Sequence, residues 1–288
     1  MWTDSVADSR QDPGFGRPSA GDALAEIRKL APLPLGFGCA SLLQARSEAQ
    51  AERVLSEALD AGLRYFDTAR SYGYGRAERV LGAAIAGRRD EVVVVSKAGI
   101  LPPGLLARAQ AKLVGRLSGT AREAHARSGV FDVPALRRSV ETSLRQLKTD
   151  YLDIFLLHDC TAADLTDEVA ALLSDLRSEG KARACGIATF APDAAAIVAS
   201  RPWASDVVQG PAFEGLAGGP ATGLVVTHSV LRPHLAAGGG RGSIAGAVEQ
   251  LLRRAIGENP GGIVLFSSSS RRSMDSNVAL ARTLTPQP

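Results

Sequence analysis

Asp67, Tyr72, Lys97 and His158 are the side chains whose types and spacing in this chain suggest chemistry. Each stands at or just after a short apolar run, in Phe66-Asp67-Thr68-Ala69-Arg70-Ser71-Tyr72-Gly73, Ser96-Lys97 and His158-Asp159. A free phenol, with a pKa of about 10, is a weak acid at neutral pH, and an adjacent ammonium stabilises its phenolate and lowers that value. Lys97 is the candidate ammonium, and Asp67 is the carboxylate that keeps a desolvated lysine charged. A histidine beside the phenol would orient a carbonyl oxygen or share its proton. The four would form a proton donor aimed at a developing alkoxide, which suits carbonyl reduction by hydride once a hydride carrier binds alongside. An ion pair between two strands and a satisfied histidine are the plainer reading, but they leave Tyr72 unexplained. Tyr74 is the rival phenol, read as loop packing or a wall of the substrate pocket.

Side chains this far apart in sequence need a scaffold that brings strand ends together. Apolar runs recur at 35–38, 63–66, 92–96, 152–157, 183–187, 206–209, 223–227 and 262–266, several of them apolar on consecutive residues, as strands buried on both faces should be. Helical spacing fills most of the intervals. Val54, Leu55, Ala58 and Leu59 follow the capping pattern Ser47-x-x-Gln50, and Ala77, Val80, Leu81, Ala84 and Ile85 come next. Leu136, Val140, Leu144 and Leu147 stand behind Asp132 and Pro134; Val169, Leu172, Leu173 and Leu176 run to Gly180; Ile244, Val248, Leu251 and Leu252 follow Ser243. Eight such alternations predict a single-domain α/β fold, the (β/α)8 TIM barrel, with its chemistry at the C-terminal ends of the strands. An open doubly wound sheet is the competitor. However, Gly73-Tyr74-Gly75 follows the second run rather than the first and lacks a third glycine.

The barrel is expected over 33–288, preceded by a tail and lead-in at 1–32 whose first ~20 residues lack hydrophobic periodicity. Two segments depart from the repeat. The long connection 99–131 carries Arg108, Lys112, Arg116, Arg122 and Arg127 against Glu123, and reads as a surface helix or as a lid over the mouth. The stretch Gly238-Gly239-Gly240-Arg241-Gly242 reads as a linker, a hinge or an anion-binding loop.

Composition excludes whole classes. With 45% hydrophobic and 22% charged residues among 288, the chain can bury a large core and is neither collagen-like nor disordered throughout. The net charge of +3 is dispersed, which argues against nucleic acid as a partner. Cys39, Cys160 and Cys185 show no metal-ligand spacing and are too few for a disulfide scaffold, so reduced thiols in a cytoplasmic protein and no metal site are expected. No apolar run approaches the ~20 residues of a membrane helix. Oligomeric state is not legible in the chain.

Several motifs in order carry a family resemblance: FDTARSYGYGRAERVLG, VVVVSKAG, TDYLDIFLLHD, EGKARACGIATF, VVQ at 207–209, and a late run of serines followed by Asn277. Over residues 33 to 284 the chain resembles the aldo-keto reductase superfamily. The resemblance implies the (β/α)8 barrel, an NADP(H) or NAD(H) cofactor, and a catalytic tetrad placed here on Asp67, Tyr72, Lys97 and His158. It also implies a cofactor-binding set. Gly38 and Cys39 end the first strand. Thr189 follows Ala188 where the family has Ser-Asn for the carboxamide, and Gln209 supplies the third carboxamide position. His228 stands where a stacking tyrosine is commoner, followed by Ser229 and Leu231 for the pyrophosphate. Ser267, Ser268, Ser269, Arg271, Arg272 and Asn277 fall in the adenosine-phosphate loop. Ser267 and Ser273 occupy positions where the family is often basic, and Arg271 and Arg272 are their shifted replacements. Hydroxyls, arginines and helix amides favour a phosphate there, hence NADP(H) over NAD(H). The expected activity is reduction of a small-molecule aldehyde or ketone. The alternatives are an NAD(P)-dependent aldose dehydrogenase, suggested by His158-Asp159, and a non-catalytic cofactor-binding regulatory subunit. The basic residues of 99–131 hint at an anionic or polyhydroxylated substrate.

Overall fold

The computed structural model describes residues 19–44, 47–102, 129–216, 223–236 and 244–285. Among these, eight strands form a closed barrel: β1 (Leu35–Gly38), β2 (Tyr65–Asp67), β3 (Val93–Ala98), β4 (Leu152–His158), β5 (Ala182–Ala188), β6 (Val207–Pro211), β7 (Leu224–His228) and β8 (Ile263–Phe266). Each pairs in parallel with its successor, and β8 returns to β1 through Leu35↔Val264 and Phe37↔Phe266. The expected runs and the observed strands differ by a few residues at their ends at most.

The pleat sorts each strand into two faces. Tyr65, Val93, Val95, Ile154, Leu156, Ala184, Val207, Val226, Ile263 and Leu265 pack in the barrel interior, whereas Phe37, Phe66, Val94, Phe155, Leu157, Cys185, Ile187 and Val264 pack outward under the helices. Gly36 points inward because a β-carbon there would lie 2.6 Å from the Tyr65 ring. Its missing side chain is what lets a fully buried tyrosine enter the barrel.

The outer layer comprises α2 (Glu48–Asp60), α3 (Ala77–Ala84), α4 (Val133–Leu147), α5 (Asp167–Ser178), α6 (Ala191–Ser200), α7 (Arg232–Ala236), α8 (Ile244–Glu258) and α9 (Arg271–Leu284), with α1 (Ala20–Leu30) preceding the barrel. The predicted starts hold where they can be seen. Ser47 and Gln50 form a reciprocal capping box, Asp132 Oδ1 accepts from Ala135 N at 2.9 Å, and Gly180 takes a left-handed φ of 74° just past α5.

Helix α1 lies where only a tail and lead-in are expected. Ser19 and Asp22 cap it reciprocally, and Leu24, Ile27 and Ala31 pack with Val93, Leu224 and Ile263, residues that begin their strands. The helix therefore closes the N-terminal end of the barrel and leaves the C-terminal end as the open mouth. The bulk of the 99–131 connection, read as a surface helix or lid, and Gly238–Gly242 with Ser243, read as a linker, hinge or anion-binding loop and a helix start, lie outside the described residues. No helix among the described residues is long and apolar enough to cross a membrane.

Candidate active site

Inward parity places the site. Two residues beyond the interior side chains Tyr65, Val95, Leu156, Val207 and Val226 stand Asp67, Lys97, His158, Gln209 and His228, one polar layer at the strand ends. Ala188, in register with both His158 and Gln209, is the small member between them. Tyr72 arrives from the loop after β2, in a tight turn where Gly73 has φ 57° and Gly75 φ 81°. A β-carbon at Gly73 would lie 2.5 Å from Leu43 Cδ1, so the turn is closed to other residues on space as well as dihedral grounds.

The four expected catalytic side chains converge. Lys97 Nζ, 1% exposed, donates to Asp67 Oδ2 at 2.6 Å and to the Thr68 carbonyl at 2.9 Å, and lies 3.4 Å from the Tyr72 hydroxyl. The Tyr72 and His158 rings meet edge to face, with centroids 5.8 Å apart. Burial opposes the Lys97 charge, but Asp67 and Tyr72 together outweigh it and raise its pKa. For Tyr72 the outcome differs from the expected lowering. Burial raises the phenol above 10.0, and the opposing pull of Lys97 is the smaller effect. Burial, aided by Lys97 and His228, lowers His158 to about 3, so this imidazole is neutral at physiological pH. His228 is lowered to about 4, again chiefly by burial, which outweighs the attraction of Asp67.

A cleft of about 1510 Å³ opens beside this layer, walled by Asp67, Tyr72, Gln209, His228, Ser229, Val230 and Leu231 at the mouth. It runs on past Gly38, Ser267, Ser268, Arg272 and Asn277 to the facing sides of α8 and α9. Gln209 is 2% exposed and its Oε1 has no hydrogen-bond partner; the same holds for His158 Nδ1. An orphaned buried acceptor at the cleft wall, as Gln209 Oε1 is, is what a site for a polar ligand should leave.

Other expected cofactor residues stand behind the wall. Cys39 is fully buried, its N–H bound to the Asp67 carbonyl. Thr189 turns its hydroxyl inward to the Cys160 carbonyl at 3.0 Å, so that proton is committed elsewhere. Ser269 lines a smaller recess with Phe37 and Leu42. Arg271 lies along α9 with Nε 2.8 Å from Asp275 Oδ1, whereas Arg272 faces the cleft and makes no ion pair among the described residues. Residues of α8 and α9 that sequence reasoning did not single out, Glu249, Arg253 and Ser276, also line the cleft. All three are exposed polar positions, and Arg253 pairs with Glu249, so no pattern in the sequence sets them apart from a solvated helix face.

Backbone strain marks the same face. Among the described residues other than glycine, positive φ occurs at Tyr74, Lys148, Asp159, Phe213 and Ser229, and all but Lys148 sit on loops that follow strands. The large apolar side chains that stay exposed among the described residues, Tyr74, Leu101, Phe190 and Leu235, also lie on segments that follow strands, after β2, β3, β5 and β7.

The model of the aldo/keto reductase family matches residues 34–210. An uncharacterized oxidoreductase of Bacillus subtilis is 32% identical over 162 residues, covering 55% of this chain and 45% of that protein. A D-threo-aldose 1-dehydrogenase of Pseudomonas sp is 35% identical over 183 residues, covering 61% and 56%. The chain thus spans about half the length of the curated relatives it matches. A solved aldo/keto reductase from Klebsiella pneumoniae, in complex with NADP and acetate, superposes with a TM-score of 0.61 at 24% identity, over 88% of this chain and 92% of that one.

Proposed function

The chain belongs to the aldo/keto reductase family, and from that premise we propose that it is a nicotinamide-dependent oxidoreductase reducing an aldehyde or ketone to an alcohol. The observation that carries this reading is the contact series Asp67–Lys97–Tyr72, with His158 against the phenol, at the mouth of the cleft. A nicotinamide dinucleotide bound in that cleft supplies the hydride.

Tyr72 gives its proton to the carbonyl oxygen as the carbon accepts the hydride. Its raised pKa keeps it protonated until that moment, and Lys97, held charged by Asp67, stabilises the phenolate left behind. Neutral His158 orients the carbonyl by a hydrogen bond and does not compete as the acid. In the reverse direction the Tyr72 phenolate takes the alcohol proton.

Gln209, with its free buried oxygen, is the fit for the carboxamide, and His228 for stacking on the ring. Ser229 and Leu231 would meet the pyrophosphate, with Gly38 leaving room beside them. Ser267, Ser268, Arg272 and Asn277 would hold the adenosine end, and Cys39, Thr189, Ser269 and Arg271 would back the wall. Arg272, a cation facing the cleft, favours NADP(H) over NAD(H), in line with the NADP named for the Klebsiella protein. Three buried free thiols support a reducing, cytoplasmic setting.

The name of the Pseudomonas relative supports a second reading, oxidation of a free aldose. Against it we set the four large apolar side chains left exposed on segments after strands, Tyr74, Leu101, Phe190 and Leu235, which suit a carbonyl compound with an apolar body. The test is NADPH oxidation over a panel of aldehydes, ketones and aldoses. Tyr72→Phe should lose turnover while still quenching on NADPH, and full turnover in that variant would overturn the proposal.

A further inference from the structure

A second charged network lies on the other side of β3 and is not part of the reacting layer. Arg70 Nη1 donates to Glu78 Oε2 at 2.5 Å, and Ser96 Oγ donates to Glu78 Oε1 at 2.7 Å. The Glu78 side chain is wholly buried and that of Arg70 is 12% exposed. Arg70 and Glu78 stand at the two ends of the turn that carries Tyr72. Ser96 precedes Lys97 in β3, so the pleat sends Ser96 outward to Glu78 and Lys97 inward to Tyr72. Arg70 N also donates to the Lys97 carbonyl at 3.2 Å. The Tyr72 turn is therefore fastened to one short piece of strand from both faces.

Stability alone does not account for this device. A buried ion pair is commonly matched or exceeded in stability by apolar residues of similar size, and Arg70 Nε is buried without a partner. What such a pair does provide is a fixed position for the two segments it joins. Resting on the proposed carbonyl chemistry, we infer that Glu78 is a positioning residue. With Arg70 and Ser96 it holds the turn so that the Tyr72 hydroxyl stays within reach of Lys97 Nζ, and it touches neither substrate nor cofactor.

The experiment compares the parent, Glu78→Gln and the apolar pair Arg70→Met/Glu78→Leu for thermal midpoint, NADPH binding, and kcat and KM of carbonyl reduction. In parallel, each is labelled with 3-fluorotyrosine and the Tyr72 resonance assigned by Tyr72→Phe. Glu78→Gln should lower kcat about tenfold or more with KM within about twofold and NADPH binding unchanged. The apolar pair should return the midpoint towards the parent while kcat stays low, and in both variants the Tyr72 resonance should be displaced or broadened with those of Tyr65 and Tyr151 in place. An apolar pair with the parent's kcat, or an unmoved Tyr72 resonance, overturns the inference. A parent with no turnover on any carbonyl would sink the functional reading instead, and the fluorine spectrum would still decide this one.

Discussion

Lys97 Nζ and Asp67 Oδ2 meet at 2.6 Å on the inward faces of neighbouring strands, both side chains almost wholly out of solvent. Removing one partner strands the other. Asp67→Asn or Lys97→Met should cost about 3–5 kcal/mol in a urea titration, whereas the double change Asp67→Leu/Lys97→Met should recover most of that loss. Turnover should be absent from all three. A double variant that is both stable and active would show that the pair is only a tie between strands.

On the proposed mechanism the Tyr72 phenol fixes the pH dependence of turnover. Reduction requires the protonated form, and burial holds that form beyond pH 10.0. The reductive kcat should therefore stay level through neutral pH and fall only above that value, while the oxidative kcat, which needs the phenolate, should climb with pH. An alkaline fall in reductive kcat centred below pH ~9, persisting under substrate saturation, would contradict the assignment.

His158 and His228 give stability its acid limb. Their folded pKa values of about 3 and about 4 lie below the ordinary 6.5. Below pH 6.5 the unfolded chain therefore binds protons that the folded chain refuses until pH falls to about 4 and then about 3. Stability should decline as pH drops through that window, by up to about 1.4 kcal/mol per pH unit for each histidine. Thermal midpoints of His158→Asn and His228→Asn should each fall less steeply than the parent's between pH 6.5 and 4; parallel slopes would show that neither histidine is held neutral.

How much of this was legible depended on which physical term decided each feature. The barrel rests on short runs apolar on consecutive residues, which the sequence displays directly, and the pleat of those strands then turns Asp67, Lys97 and His158 inward together. Helix α1 escaped although Leu24, Ile27 and Leu30 keep helical spacing, because its capping box uses Asp22 in place of Glu or Gln and it follows a stretch without hydrophobic periodicity. The direction of the Tyr72 shift is a contest between burial and Lys97, and the extent of burial is set by packing that no local motif records. Thr189 carries the hydroxyl the resemblance assigns to the carboxamide, yet its proton is taken by the Cys160 carbonyl, which arrives from the end of a different strand.

The exposed apolar side chains after the strands predict a substrate preference. Leu101 and Phe190 are 47% and 41% exposed on loops after β3 and β5. Burying such a side chain against a ligand is worth about 1.5–3 kcal/mol at full coverage, so Leu101→Ser or Phe190→Ser should raise KM for an aromatic aldehyde by about tenfold. Activity on a small aldehyde such as glyceraldehyde should change little. An equal loss on both, or a parent that prefers aldoses, would remove the apolar substrate class and favour the sugar reading.

Arg271 and Arg272 are adjacent in sequence but face different partners. Along α9, Arg271 is one turn from Asp275 and pairs with it, and its second contact is the Asp60 carbonyl at 3.5 Å. Arg272 faces the cleft beside Ser268, Ser273 and Asn277. A charge-assisted hydrogen bond to a phosphate is worth about 1.5–3 kcal/mol, and exposure puts Arg272 at the lower end. Arg272→Ala should therefore weaken NADPH binding about tenfold, leave NADH binding within about twofold, and so narrow the difference between the two cofactors. Arg271→Ala should change neither affinity by more than about twofold, because its charge is already matched by Asp275. The measurement is fluorescence quenching by each cofactor over a salt series. Equal losses for NADPH and NADH in Arg272→Ala would place the arginine on the shared pyrophosphate, and the basis for preferring NADP(H) would then be gone.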